Sequence, residues 1–240
     1  MEMLGVRIDN LKTEEALQKT QEFLGENHHR HIVTVNPEIL VLAQKDKEFK
    51  EILNKADLSV ADGIGIVWAS RFLGEAIKER IAGVDLIEKL ILRLRSLRLR
   101  SGYNAKVFLL GGRGGVAEKI AGEWLEVVGF TEDIDSAVSL INQCQPDILF
   151  MALGAPRQEK WIAQNLKNLP SVKVAMGVGG AFNMLSGRIN RAPKFMRKVG
   201  LEWLWRLILE PRRIGRIFNA VIVFPWLVIN YRSQNKRQKI

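Results

Sequence analysis

Apolar residues gather along this chain into short unbroken runs separated by amphipathic stretches. Residues 31–35, 57–60, 106–110, 147–153 and 172–178 are dense in Val, Ile, Leu, Phe and Met, the pattern of strands buried on both faces. Between them, apolar positions recur at helical spacing. Ala16, Leu17, Phe23 and Leu24 lead to a stop at Gly25, and Thr13 is placed to cap that helix. Ile39, Leu40, Leu42 and Ala43 follow Pro37, which suits a first helical position. Leu86, Leu90, Leu94 and Leu97 mark a long helix over 86–99, and residues 3–8 read as a short first strand. Strands that alternate with helices and end in glycine-rich turns predict an α/β fold, a Rossmann-like, mostly parallel sheet flanked by helices.

One stretch combines these features most densely. In Ser59–Trp68, SVADGIGIVW, a buried strand runs into Asp62, Gly63 and Gly65, and an apolar helix follows over 64–73. A carboxylate on such a turn sits where open α/β sheets hold ligands. Two readings of Asp62 stand side by side at this point: a cap for the following helix, or a site residue. Other strand ends point to the same edge. These are Thr34-Val35-Asn36, Gly111-Gly112, and Gly154-Ala155-Pro156 followed by Arg157, Gln158 and Glu159. Glycine turns can approach a diphosphate, and Arg80 or Arg157 can neutralise it.

Charge changes the picture only at the C-terminus. The 240 residues carry 36 Lys/Arg and 26 Asp/Glu, a net +10. The last fifty hold 12 of the basic residues against only Glu202 and Glu210, so the rest is balanced. We therefore divide the chain into an α/β catalytic body, 1–193, and a basic helical appendage, 194–240. Leu201, Leu204, Trp205, Ile208 and Leu209 form one apolar stripe, which Pro211 interrupts. Ile214, Ile217, Phe218, Val221 and Ile222 form a second, with Arg212, Arg213 and Arg216 on the opposite side. The apolar run over 217–231 is short for a span of roughly 20 residues. With Trp226, Tyr231 and a basic cluster at 232–239, it suits a helix lying in an anionic membrane interface. A helix pair packed on the body or on a second subunit is the plainer reading, so a homo-oligomer stays open.

Several chemistries lack their signatures. GGRGG at 111–115 does not have the spacing of a dinucleotide fingerprint, and the sequence holds no Walker-type loop, zincin motif or nucleophile elbow. His28, His29 and His31 fit no zinc pattern and read as solvated loop residues. Asp133 and Asp135 spell D-x-D but precede a helix, where acids favour the helix start. One cysteine, Cys144, suits a reducing compartment, and no basic-then-apolar leader opens the chain, so we expect a cytoplasmic protein. A nucleotide-binding protein whose basic tail grips nucleic acid is the competing class.

In order along the chain stand Asn36-Pro37-Glu38, Ala61-Asp62-Gly63, Glu79-Arg80-Ile81 with Gly83 and Asp85, Leu109–Gly112, Leu153–Trp161, Gly177–Phe182, Arg191-Ala192-Pro193 and Gly200–Trp203. This series resembles the WecG/TagA/CpsF glycosyltransferases over almost the whole chain. The resemblance implies a metal-independent, inverting transfer of N-acetylmannosamine from UDP-ManNAc to GlcNAc carried on undecaprenyl diphosphate, as in the linkage unit of wall teichoic acid. It implies Asp62 as general base, Thr34 holding sugar or acceptor, and Arg80 on a diphosphate. Asn36, Gln158 and the strand-end residues Gly63, Gly111, Gly112, Gly154, Arg157 and Glu159 become substrate contacts. Arg212, Arg213 and Arg216 belong to an appendage that docks on the inner face of the membrane and closes over the site. The implied partners are a UDP-sugar, a polyprenyl-diphosphate-linked acceptor and an anionic membrane surface, with no cofactor, metal or nucleic acid.

Two departures from the family pattern stand out. Between Gly115 and Gln145 only Val128-Gly129-Phe130-Thr131 remains of a longer segment, which predicts that the sheet is shortened or rebuilt there. Asn183 replaces the family's Asp after GVGGAF, exchanging a pure acceptor for an amide that also donates, so the donor sugar is open.

Overall fold

Two opening strands, β1 (Glu2–Met3) and β2 (Val6–Arg7), pair only with each other, antiparallel. The strand expected over 3–8 is therefore a small hairpin. It braces the sheet from outside: Asp9 N–H donates to Ser59 O, and Ser59 N–H donates to the Asp9 carboxylate, each at 2.8 Å. The computed structural model describes residues 1–237, without the side chains at 101, 198 and 235–237. The basic cluster expected at 232–239 thus falls partly outside the described residues.

The body alternates as its pattern predicts. Helix α1 (Thr13–Gly25) leads to β3 (Arg30–Val35), α2 (Pro37–Lys45), α3 (Lys47–Lys55), β4 (Leu58–Ala61), α4 (Ile64–Leu73) and α5 (Gly83–Ser101). Then come β5 (Val107–Gly111), α6 (Val116–Glu123), β6 (Val127–Thr131), α7 (Ala137–Cys144), β7 (Ile148–Ala152), α8 (Arg157–Asn165), β8 (Val174–Gly177) and α9 (Ala181–Leu185). Thr13 does not cap α1. Its hydroxyl and N–H both donate to Glu79, and Glu15 accepts from the Lys12 N–H instead.

Six strands form one parallel sheet in the order β4-β3-β8-β7-β5-β6. The segment expected to be shortened or rebuilt keeps a strand: β6 forms one edge of the sheet, paired with β5 across a register shift. Along β3, Ile32 joins a core shared with α1 and α5, while Val33 and Val35 join one shared with α2, α3 and α4. That alternation buries both faces, which is why the strands read as continuous apolar runs. After β4 the chain crosses β3, β8 and β7 to resume at β5, and such a reversal opens a crevice at the carboxyl edge.

The C-terminal region is helical. It comprises α10 (Lys194–Lys198), α11 (Glu202–Leu209), a 3-10 turn (Pro211–Arg213), α12 (Ile214–Phe218), a π turn (Asn219–Val223) and α13 (Phe224–Arg237). Phe224 and Val228 are its anchors, fully buried in the core beside α2 and α4. Most of its other large apolar side chains stay exposed, Ile208, Ile214, Phe218, Ile222 and Trp226 among them.

Candidate active site

Asp62 follows β4 directly, and two backbone bonds fix its neighbourhood. Its own N–H donates to Val35 O at 2.7 Å, and Ile81 N–H donates to Ala61 O at 2.8 Å. The second bond lays the segment carrying Arg80 beside the strand end. Asp62 does not cap α4. Gly63 takes the cap position at φ +102°, open to glycine and strained for other residues, and supplies no side chain. The Asp62 carboxylate turns instead to α5, accepting from the Gly83 N–H at 3.4 Å. Buried Thr34, one strand over, lies against the same glycine: a Cβ on Gly83 would stand 3.4 Å from Thr34 Cγ2 and 3.7 Å from Asp62 Oδ2.

Asp62 and Gly83 line a cleft of about 840 Å³, together with Asn36, Gly63 and Arg80 from the body, while Thr34 lies buried behind Gly83. The C-terminal helices close its other side with Glu202, Arg206, Arg213 and Arg216. Burial pushes the Asp62 carboxyl up to about 6, opposed by the Gly83 N–H and the Arg80 and Arg206 charges, with Glu202 adding to the rise. A carboxylate held near neutrality inside a cleft has the affinity a general base needs.

The arginines are placed by a web of carboxylates. Arg80 lies 3.7 Å from Glu202, and Arg191 reaches Asp85, Glu88 and Glu202. Glu202 thereby ties α11 to the body at both arginines. Arg213 pairs with Glu210 at 2.7 Å, and Arg216 with Glu38 at 3.4 Å. Arg206 donates to Gly180 O at 3.2 Å. Its affinity for its proton is lowered, first by burial and then by Arg213 beside it. Gly180 lets the two guanidinium groups converge: a Cβ there would stand 2.7 Å from Arg213 Nη2 and 2.8 Å from Arg206 Nη2. Two like charges held together, each half-buried, make a receptor for an anion such as a diphosphate.

The remaining expected residues divide by location. Asn36 lines the cleft while capping α2, its Oδ1 accepting from the Ile39 N–H at 3.0 Å. Gly154 lies near Arg216, whose Nη2 would be 3.7 Å from a Cβ there. Gly111, Gly112 and Arg157 border a separate recess of about 430 Å³ with Arg113, Glu132 and Leu153. Gln158 is buried, and its Oε1 accepts from both Gly154 N–H and Gly179 N–H at 3.0 Å, tying the loops after β7 and β8 together. Its Nε2 donates to Glu159, a buried carboxyl that desolvation pushes up to about 7. Asn183 sits on α9 beside Met184, and of the two it is Met184 that lines the cleft. Arg212 is exposed on the turn after Pro211.

Sequence reasoning missed Arg206 and Glu202. Both interrupt the apolar stripe of α11, and a charge on an otherwise apolar face is the signal that could have found them. The histidine expectation also needs correction. His31 lies inside β3, and burial pushes its ring down to about 4 against the pull of Asp57. Asp133 accepts from Asp135 N–H and from Ser136, a local turn at the start of α7. Among the described residues no group of three or more His, Cys, Asp or Glu is arranged to hold a metal ion.

Comparison with known proteins adds two findings. Residues 1–238 match the model of the glycosyl transferase WecG/TagA/CpsF family. The chain is 35% identical over 218 residues to an N-acetylglucosaminyldiphosphoundecaprenol N-acetyl-beta-D-mannosaminyltransferase of Bacillus subtilis (strain 168), covering 87% of this chain and 81% of that one. A protein of the same name from Staphylococcus aureus (strain MRSA252) is 30% identical over 251 positions, covering 100% of this chain and 96% of the other.

Proposed function

The chain belongs to the glycosyl transferase WecG/TagA/CpsF family, and we propose that it moves N-acetylmannosamine from UDP-ManNAc to GlcNAc borne on undecaprenyl diphosphate. The observation that carries the reading is a near-neutral carboxylate, Asp62, facing Arg80, Arg206, Arg213 and Arg216 across one cleft. Asp62 takes the proton of the acceptor hydroxyl while that oxygen bonds to the anomeric carbon of the donor. The bond from that carbon to the UDP oxygen breaks on the opposite face, so the configuration inverts and UDP leaves with the electron pair. General base action of this kind contributes about 10²–10⁴-fold. The arginines meet the charge that develops on the leaving diphosphate, a task that many transferases give to a bound cation, and we read the transfer as metal-independent on that ground.

Thr34 and Asn36 border the sugar, and the glycine turn after β5, with its recess beside Arg157, takes the nucleotide. The appendage brings this site to its substrate. Within the helical run Pro211–Gln234, the most apolar 18-residue stretch has a mean hydropathy of 1.5, and only 11% of it is buried. With the arginines of the same region, it suits a helix lying on the cytoplasmic face of a membrane. A grip on nucleic acid would not call for that exposed apolar face.

The test is incubation of purified protein with a panel of UDP-sugars and a short-chain GlcNAc-diphospholipid, with and without a chelator. UDP-ManNAc should give product at an undiminished rate in chelator. Preference for another UDP-sugar would move the donor assignment, and loss of rate in chelator would end the metal-independent reading.

A further inference from the structure

The cleft has two unlike ends. Around Asp62 it presents Arg80, Arg206, Arg213 and Arg216. Beyond Ile64 its walls carry only apolar side chains, Trp68, Ala69 and Phe72 from α4 facing Val221, Pro225 and Ile229 from the C-terminal helices. Four of these are well exposed: Trp68 at 68%, Phe72 at 41%, Val221 at 37% and Ile229 at 53%. They are not surplus core. Phe224 and Val228, from the same helix, already make the buried contact that holds α13 to the body. From Ile64 to Phe72 the helical rise gives a trough about 12 Å long, and Arg232 closes its far end, 4.3 Å from the Phe72 ring.

We propose that this trough between α4 and the C-terminal helices binds the first isoprene units of the acceptor's polyprenyl chain. The inference rests on the acceptor reading above and adds a lipid subsite to it. Continuity and charge select the occupant. The trough opens into the arginine-lined end that meets diphosphates, and an aliphatic chain leaving a diphosphate must pass between these walls. A flat bilayer could lie against Trp226 and Ile222 on the outer surface but has no reason to reach beside Asp62. The trough fixes the acceptor's direction: headgroup toward Asp62, chain toward Phe72.

Binding of prenyl diphosphates, measured below their micelle concentrations and without turnover, tests this directly. Affinity should rise about 10-fold or more from a one-unit to a three-unit chain, then level off once the trough is full. Trp68→Ser and Phe72→Ser, exposed positions whose folding is checked by thermal melts, should each remove most of that gain while inorganic diphosphate binds as before. Affinity that ignores chain length, or a gain that survives in both variants, overturns the subsite. Unchanged chain-length dependence with lost flotation on phosphatidylglycerol vesicles would assign these residues to membrane docking instead. Concentration-dependent self-association lost in the variants would assign them to a second copy. Failure of the acceptor reading shows separately, as absence of sugar transfer to any lipid-linked GlcNAc.

Discussion

Replacing Asp62 by Asn changes one proton site and almost no volume, so its effects can be worked out in two independent quantities. The first is rate. With the base removed, transfer should fall by about 10²–10⁴-fold, and the acid limb of the kcat/KM profile, expected near pH 6, should vanish. The second is stability. The folded-state carboxyl is raised from 3.8 to about 6, so the folded chain holds its proton more tightly than the unfolded one. Stability is then fully present below the unfolded value and is lost as pH rises toward 6, leaving the ionised group a cost of about 3 kcal/mol. The substituted amide never ionises and escapes that cost. The variant should melt at the same temperature as the parent at about pH 3, below both values, and at about 5 °C or more above it near pH 8. Release of UDP in the presence of a soluble lipid-linked GlcNAc gives the rate, and calorimetry across pH gives the melting curve. A variant with near-parental turnover refutes the base. A melting difference that does not grow with pH refutes the burial argument behind its raised affinity.

Three other outcomes follow from the same contacts. Glu202→Gln removes a negative charge that raises Asp62 and pairs with Arg80 and Arg191, so the acid limb should move to lower pH and protease should cut the 201–237 region sooner; an unmoved limb would show that Glu202 does not act on Asp62. Glu159→Gln keeps the shape and the acceptor for Gln158 but not the titration. Because burial raises this carboxyl to about 7, the parent should lose stability more steeply than the variant as pH rises between its unfolded value near 4.5 and 7, and parallel melting curves would contradict the raised affinity. Gly200→Ala places a Cβ 2.7 Å from Ile64 Cγ1 at a φ of +80°, at the joint where α11 meets α4, and should cost about 1–3 kcal/mol; a neutral effect on melting would mean that the joint gives way freely.

The alternation of buried strands and amphipathic helices was legible because parallel strands covered on both faces need unbroken apolar runs. Residues 31–35 and 147–153 therefore stand out with no partner in view. The turn after β4 was legible for a related reason, since a carboxylate followed by Gly63 and Gly65 at a strand end stands where open sheets hold ligands. What its side chain does was not. Local spacing offers Asp62 the start of α4 two residues away, whereas the fold gives it Gly83, 21 positions on. The short first strand, His31 and Thr13 misread for the same reason: pairing, burial and capping partners such as Ser59, Asp57 and Glu79 lie far along the chain. Gln158 and Glu159 read as ligand contacts because they follow a glycine turn, and only packing shows that Gln158 also joins two loops from inside, with Glu159 accepting from it.

By itself, then, the sequence determined the layered α/β body, the strand-end turns that face one edge, and the concentration of basic charge in the last fifty residues. Those properties follow from local periodicity and composition, which the chain carries whatever its neighbours are. The tertiary structure decided which charges share a cavity. Arg206 and Arg213 come together over Gly180, Glu202 links Arg80 to Arg191, and Asp62 leaves water for the space beneath them. Its raised proton affinity arises from desolvation, and desolvation exists only once distant segments have closed over the group.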